Sequence, residues 1–332
     1  MRPLAAGHQA GEADRWWRAT LALAVANGAF FAVIAARPGL PAVLLWYVAP
    51  PALVFAAASL LLVALIRSWR SRAMPGRRLL AGLAVLALVI ATLATFRTFP
   101  SSHDERPSRV RFRLPLDGPV TVAWGGPTLA VNYHAVMPDQ RWGFDLLVTV
   151  GGLSYRREGA RLDDYHVFGR PVVAPADGIV HAVRDGVPDG PIGQWRVRGV
   201  FGNHVVLQVA EAEYLFLAHL QQGSITVKPG ERVMAGQPIG RVGNSGNSSE
   251  PHLHVHLQDT PMPYLGEGIP FYFHGYRHNG VTVARGMPRG GRQRWSRAFP
   301  GAFVGDVIEQ GAGGKGEEAF PPSPSVTSRT AR

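Results

Sequence analysis

Pro251-His252-Leu253-His254-Val255-His256 is the stretch on which the fold reading turns. Polar and apolar residues alternate through it, the period of a β-strand with one face turned to a core. Side chains at i and i+2 of a strand share a face, roughly 6 to 7 Å apart. His252 and His254 therefore look into one site, and His256 continues that face. An imidazole in such a place can bind a metal or carry a proton. A single His-x-His also suits an ordinary polar face, so the neighbouring sequence has to decide.

Working outward, Gly243-Asn244-Ser245-Gly246-Asn247-Ser248-Ser249-Glu250 is a tight polar loop feeding directly into the His strand. It precedes a strand, not a helix, and has no lysine, so it is not a phosphate loop. Ala218-His219-Leu220 closes an apolar strand further upstream, and Val227 to Gly240 carries paired turns between apolar positions. Short β-type segments are expected at Val110–Leu114, Val120–Trp124, Phe144–Val150, Val172–Val173, Gly178–Val183, Val205–Val209, Tyr214–Leu217, Ile239–Val242 and His252–Leu257. Gly, Pro, Asp and Asn turns separate them. The reading is one mostly antiparallel all-β domain over about 110–286. The tail, 287–332, is rich in Gly, Arg, Pro and Ser and reads as disordered, with a short apolar patch at Phe303 to Ile308. Residues 97–109 read as a polar linker.

The first hundred residues have another character. Apolar stretches run from about Ala19 to Ala36, Ala42 to Ile66 and Leu79 to Phe96. Each approaches or exceeds the roughly 20 residues that span a bilayer. Pro50-Pro51 should kink the second. Trp16, Trp17, Trp46 and Trp69 stand near the ends, where aromatic rings favour the interface. Arg67, Arg70, Arg72, Arg77 and Arg78 crowd the connection between the second and third stretches, without an acidic residue. The positive-inside rule puts that loop and residues 1–18 in the cytoplasm and delivers everything after Arg97 to the far side. The expected location is a bacterial cytoplasmic membrane, multi-pass, with an extracytoplasmic C-terminal domain. The default role of the helices is an anchor, since no charge interrupts them as a relay would.

The net charge of +11 comes largely from arginine and fits topology charges beside an ordinary basic surface. No zinc finger, helix-turn-helix or aromatic RNA-binding pattern accompanies it, so no nucleic-acid partner is expected. The chain has no cysteine, which excludes disulfides, thiolate ligands and a cysteine nucleophile. A metal site must then use His and Asp or Glu.

Five ordered segments now stand together. They are Arg170 to Val180, Gly202-Asn203-His204-Val205-Val206, Ala218-His219-Leu220, the Gly243-Asn244-Ser245-Gly246 loop, and Pro251-His252-Leu253-His254. Over about Trp124 to Leu257 this resembles the lysostaphin-like, or LytM-type, zinc metalloendopeptidase family of peptidoglycan hydrolases. The resemblance implies a LytM-type β-sheet/barrel-sandwich hybrid with Zn2+ in an open groove. It implies that His254 and Asp145 are zinc ligands, that His219 and His252 are the catalytic non-ligand pair, and that Asn244 lies at the site's edge. The implied function is a membrane-anchored zinc endopeptidase hydrolysing peptide cross-links of peptidoglycan.

One position departs from that pattern. The family's first motif is His-x-x-x-Asp, and here its histidine position is Arg141. A guanidinium has no lone pair to offer a cation. Two readings stand. His134, in Asn132-Tyr133-His134, supplies the third ligand from a hairpin partner strand. Alternatively, the site is degenerate and the domain binds peptidoglycan or activates other cell-wall enzymes without cutting. The paired turns also resemble phosphocarrier and swinging-arm carrier folds. The expected orientation and the missing lysine speak against both. His166, His181, His204, His274 and His278 have the bland reading of strand-edge or groove-wall residues. The insertion between Gly151 and Tyr165 is the candidate specificity loop.

Overall fold

The computed structural model describes residues 4–37, 39–71, 77–194, 199–291 and 305–311. The chain divides into two compact units, Met1–Pro100 and Ser101–Arg332.

The first unit holds three helices, α1 (Leu4–Ala36), α2 (Leu40–Ser71) and α3 (Arg77–Thr95). Within them Trp16–Ala36, Leu40–Arg70 and Arg77–Thr95 are long and apolar enough to cross a membrane. Helix α1 begins some fifteen residues before its apolar stretch, so the span is only part of the helix. α2 runs on through Pro50-Pro51. Phe30, Ile34, Val43, Leu53, Ala57, Val89 and Phe99 form the packed interior of this unit. Asn27 Nδ2 donates to Thr92 Oγ1 at 2.8 Å, tying α1 to α3 through a buried pair. Much of the arginine-rich connection, including Arg72, lies outside the described residues.

The second unit is built on one ten-stranded antiparallel sheet. Its strands are β1 (Val120–Trp124), β2 (Phe144–Leu147), β4 (Gly178–Arg184), β5 (Asn203–Ala210), β6 (Glu213–Leu220), β7 (Arg232–Val233), β9 (Leu253–Gln258), β10 (Phe273–His278), β11 (Val281–Gly286) and β12 (Val307–Gln310). They lie in the order β11-β10-β12-β1-β2-β9-β6-β5-β4-β7. β3 (Pro171–Val173) and β8 (Pro238–Arg241) pair as a second, two-stranded sheet. The fold is thus three long apolar helices followed by a largely antiparallel sheet domain.

Strand β9 shows why the sequence takes this form. Leu253, Val255 and Leu257 point into the main core, with Phe144, Leu146, Leu217 and Phe271 among its other members. Burying three such side chains is worth roughly 1.5–3 kcal/mol each. That burial fixes which face His254 and His256 must occupy, because a one-residue slip would exchange the faces.

Four expectations need correcting. Val110–Leu114 forms only an isolated bridge, Phe112 to Phe273, since its apolar residues plug the core without a ladder partner. The stretch read as a linker is packed from Ser101 onward: Ser101 Oγ donates to the Gly268 carbonyl at 3.0 Å, and Ser108 N to Pro270 O at 2.9 Å. The tail is not without structure, because β12 lies between β1 and β10 and buries Ile308. Lastly, His134 lies on a 3-10 turn, Tyr133–Val136, and not on a hairpin strand.

Candidate active site

Three adjacent strands bring the site together. In their register Asp145 of β2 lies opposite His254 of β9, which in turn lies opposite Ala218 of β6. Directly opposed residues of an antiparallel pair project to the same side, about 4.5–5.5 Å apart. Asp145 Oδ1 and His254 Nδ1 accordingly meet at 2.8 Å. His252 stands just before β9, and its Nε2 lies 3.6 Å from the same carboxylate oxygen.

The 3-10 turn supplies a further imidazole. Asn132 caps it, its Oδ1 accepting from the backbone N of His134 at 3.1 Å. The same oxygen faces His134 Nδ1 at 3.0 Å, while Asn132 Nδ2 donates to Gly126 O at 3.0 Å. The amide's orientation is thus set, and His134 must carry its proton on Nδ1. Nε2 is left as a lone pair 3.5 Å from Asp145 Oδ1. Tyr133 donates to the other carboxylate oxygen at 3.3 Å. His134, Asp145 and His254 each offer one ligand atom, all within 4.8 Å of one another.

A second chain sets the tautomer of His254. Gln258 Nε2 donates to the carbonyls of Thr260 and Met262, so its Oε1 faces His256 Nε2, at 3.1 Å. His256 then holds its proton on Nε2 and accepts at Nδ1 from His254 Nε2, at 2.9 Å. In its Nε2–H tautomer His254 presents the lone pair of Nδ1 to a carboxylate oxygen. Two lone pairs at that distance repel unless a cation lies between them. With His134 Nε2 and His252 Nε2 also converging, the donor set is four acceptors with no donor of its own. Ligands 2.0–2.1 Å from a tetrahedral ion are about 3.3 Å apart, close to the His134–Asp145 separation. The residues fit a zinc-like ion.

His219 and His252 are held differently, by the backbone. His219 Nδ1 donates to Ser245 O at 2.8 Å, and His252 Nδ1 to Glu250 O at 2.8 Å. Their rings lie 4.7 Å apart between centroids, with both Nε2 atoms left as acceptors. His219 has φ +60°, a left-handed backbone that a non-glycine residue adopts only when its surroundings impose it. Its N–H donates to Phe201 O and its carbonyl accepts from Gly243 N, each at 3.0 Å. A Cβ on Gly243 would sit 2.4 Å from the backbone of Gln221, so only glycine permits this approach. Gly143 has a comparable reason: a Cβ there would press on the His254 ring at 3.2 Å.

The charges follow from burial and neighbours. Burial alone would raise Asp145, but His134, His252 and His254 together hold it well below the carboxylate range. Burial lowers His134 to about 3, overriding the attraction of Asp145. Burial likewise drives His219 and His256 well below the usual imidazole value, and raises Tyr133. His134, His219 and His256 are thus held neutral and able to accept.

Arg141 is at the edge of this assembly. Its Nη1 donates to Pro127 O at 3.0 Å, its Nε lies 3.8 Å from Asp104, and its guanidinium covers the Trp142 ring at 4.2 Å. Asn244 braces the loop: it donates to Gly190 O at 2.9 Å, and its Oδ1 lies 2.7 Å from Ser248 Oγ, a neighbour of His252 Nδ1. His256, Gln258, Tyr133 and Asn132 escaped the sequence reading as site residues. The period of two that runs from His252 through His256 to Gln258 was a readable signal for the first pair. An open cleft of about 720 Å3 lies between Ala160–Asp163 of the insertion and Asp189–Ile192. It adjoins the Asn244 brace, and the imidazoles do not line it.

Residues 162–264 match the model of Peptidase family M23, a stretch that includes His219, His252 and His254 but not His134, Arg141 or Asp145. Peptidoglycan DD-endopeptidase ShyA of Vibrio cholerae is 38% identical over 105 residues, which is 30% of this chain and 24% of that protein. The match therefore spans about a quarter of the curated relative's length. Among solved structures, a zinc containing peptidase from Vibrio cholerae aligns at 22% identity and TM-score 0.30, over 49% of this chain and 41% of that one. The catalytic domain of lysostaphin from Staphylococcus simulans aligns at 20% identity and TM-score 0.27, over 45% and 86%.

Proposed function

We propose that the sheet domain is a zinc endopeptidase that cuts peptide cross-links of peptidoglycan, anchored by the three helices with the domain on the outer side of a bacterial cytoplasmic membrane. The observation that carries this reading is the convergence of His134 Nε2, His252 Nε2 and His254 Nδ1, all lone pairs, on Asp145 Oδ1. The M23 match over the three downstream histidines supports the reaction class, and the name of the relative supports the substrate class. The apolar helices and the arginines around their second connection support the membrane placement.

His134, Asp145 and His254 would hold the ion, with Arg141 excused from that duty. Bound there, zinc supplies Lewis-acid polarisation of a carbonyl and of water. The chain's own residues do the rest. His219 and His252 each hold Nδ1–H on a backbone carbonyl and turn Nε2 to the site. One accepts the proton of the attacking water, and its cation is stabilised because Nδ1–H already donates to a carbonyl. That proton passes to the departing amide nitrogen, the C–N bond breaks, and a carboxylate and an amine leave. The cleft beside the insertion would receive the substrate's flanking peptide, with Arg161 available to its carboxylates.

The test uses the full chain purified in detergent, with zinc measured and peptide release from purified peptidoglycan assayed. Zinc at this site and peptide release, both lost in His134→Ala, are expected. Zinc-loaded protein that binds peptidoglycan but releases nothing would replace this reading with a non-cutting one.

A further inference from the structure

A second cluster of ligand-type side chains lies apart from the active site. His103, Asp259 and Glu267 each offer one ligand atom, and these atoms lie within 4.8 Å of one another. His103 belongs to the turn that opens the sheet unit, while Asp259 and Glu267 flank the loop that follows β9. Local bonds hold this loop in shape: Glu267 N donates to Asp259 Oδ1 at 2.8 Å, and Asp259 N to Glu267 O at 3.2 Å.

Glu267 is the informative member. It is 1% exposed, and a carboxylate this deep needs a counter-charge or several donors. One oxygen has them, since Ser102 donates to Oε2 from both its N and its Oγ. The other, Oε1, is buried with no hydrogen-bond partner. Asp259 adds a second carboxylate on the same side. His103 Nε2 lies 3.3 Å from Asp259 Oδ2, longer than a charge-assisted hydrogen bond of about 2.7–2.9 Å. It is near the ~3.3 Å edge of a tetrahedron around an ion at 2.0–2.1 Å.

We propose that His103, Asp259 and Glu267 form a second, structural cation site that clips the first residues of the sheet unit to the loop after β9. The donor set selects the class of ion. An imidazole nitrogen beside two carboxylate oxygens suits zinc or manganese, whereas calcium and magnesium prefer all-oxygen sets. Its effect reaches further than the clip. The loop from Asp259 to Glu267 contains Thr260 and Met262, whose carbonyls orient Gln258 and so the imidazole chain behind His254. An ion at the second site would hold that loop in the conformation the first site needs.

Zinc titration of the full chain in detergent, after exhaustive chelation, separates the two sites. Two equivalents are expected for the unaltered protein, one each for His103→Ala and His254→Ala, and none for the double variant. In the His254→Ala background zinc should still raise the melting temperature, and Glu267→Gln should abolish that rise. His103 is partly exposed, so its replacement keeps the test valid if Glu267→Gln fails to fold. A single equivalent that His254→Ala abolishes, or an unchanged count in His103→Ala, would overturn the proposal. A single equivalent that survives His254→Ala but is lost in His103→Ala would instead count against the active-site reading.

Discussion

The two walls of the active site are made in different ways. The wall formed by β6, the Gly243 loop and β9 holds His219 and His252 by backbone carbonyls, and sheet pairing fixes His254. The opposite wall, formed by the 132–145 segment, relies on side chains: Asn132 orients His134, and Tyr133 and three imidazoles orient Asp145. A wall held by the backbone can be recognised from motif spacing, because spacing dictates register. A wall held by side chains can exchange one donor for another, as in the proposed use of His134 where the family pattern has its histidine at Arg141.

Breaking the shared element should have the largest effect. Asp145→Ala removes the oxygen toward which both walls point. Peptide release should fall by at least ~10³-fold and the active-site equivalent of zinc should vanish, since the Lewis acid supplies several kcal/mol. The side-chain wall can be tested by itself by pairing His134→Ala with Arg141→Met. The first should cost nearly all of the active-site zinc. The second should leave zinc stoichiometric and lower stability by about 1.5–3 kcal/mol through the lost charged hydrogen bond to Pro127. If thermal melts and metal analysis gave the reverse, the assignment of ligands across this wall would fail.

A smaller effect should come from the support behind β9. Gln258→Leu leaves all five imidazoles in place but frees the tautomer of His256, and through it that of His254. Zinc affinity measured by competition with a chelator should weaken about 10–100-fold, the usual range for groups that orient a ligand. The smallest effect is expected in the backbone-held wall at Gly243→Ala. Pushing on Gln221 should lower the melting temperature, equivalent to about 1–3 kcal/mol, with zinc retained. Release should drop through displaced His219, whose carbonyl that glycine engages.

These contrasts also explain what the sequence could show. Strand β9 was readable because its period of two is strict and its apolar residues face a core. The Gly243 loop was readable because its composition serves one close approach. His134 was named from sequence, but a 3-10 turn has no periodicity, so its placement on a strand was wrong. The β10–β11 hairpin carried an unused signal in Asn279-Gly280, both with positive φ, the residues a two-residue turn requires. β12 carried almost none. Its four residues sit among Gly, Arg and Pro, and their pairing is decided by β1 and β10, which lie far away in the chain. The cluster around Glu267 had no sequence pattern, because its members come from segments more than 150 residues apart.

Strand β12 has a consequence for biosynthesis. It fills the sheet between β1 and β10, and β1 in turn flanks β2, the strand that carries Asp145. A nascent chain that has emerged only as far as β11 therefore has every proposed catalytic residue but two open sheet edges. The catalytic sheet closes only once Gln310 has been made, so nascent or shortened chains would expose those edges to one another before they could work on a substrate.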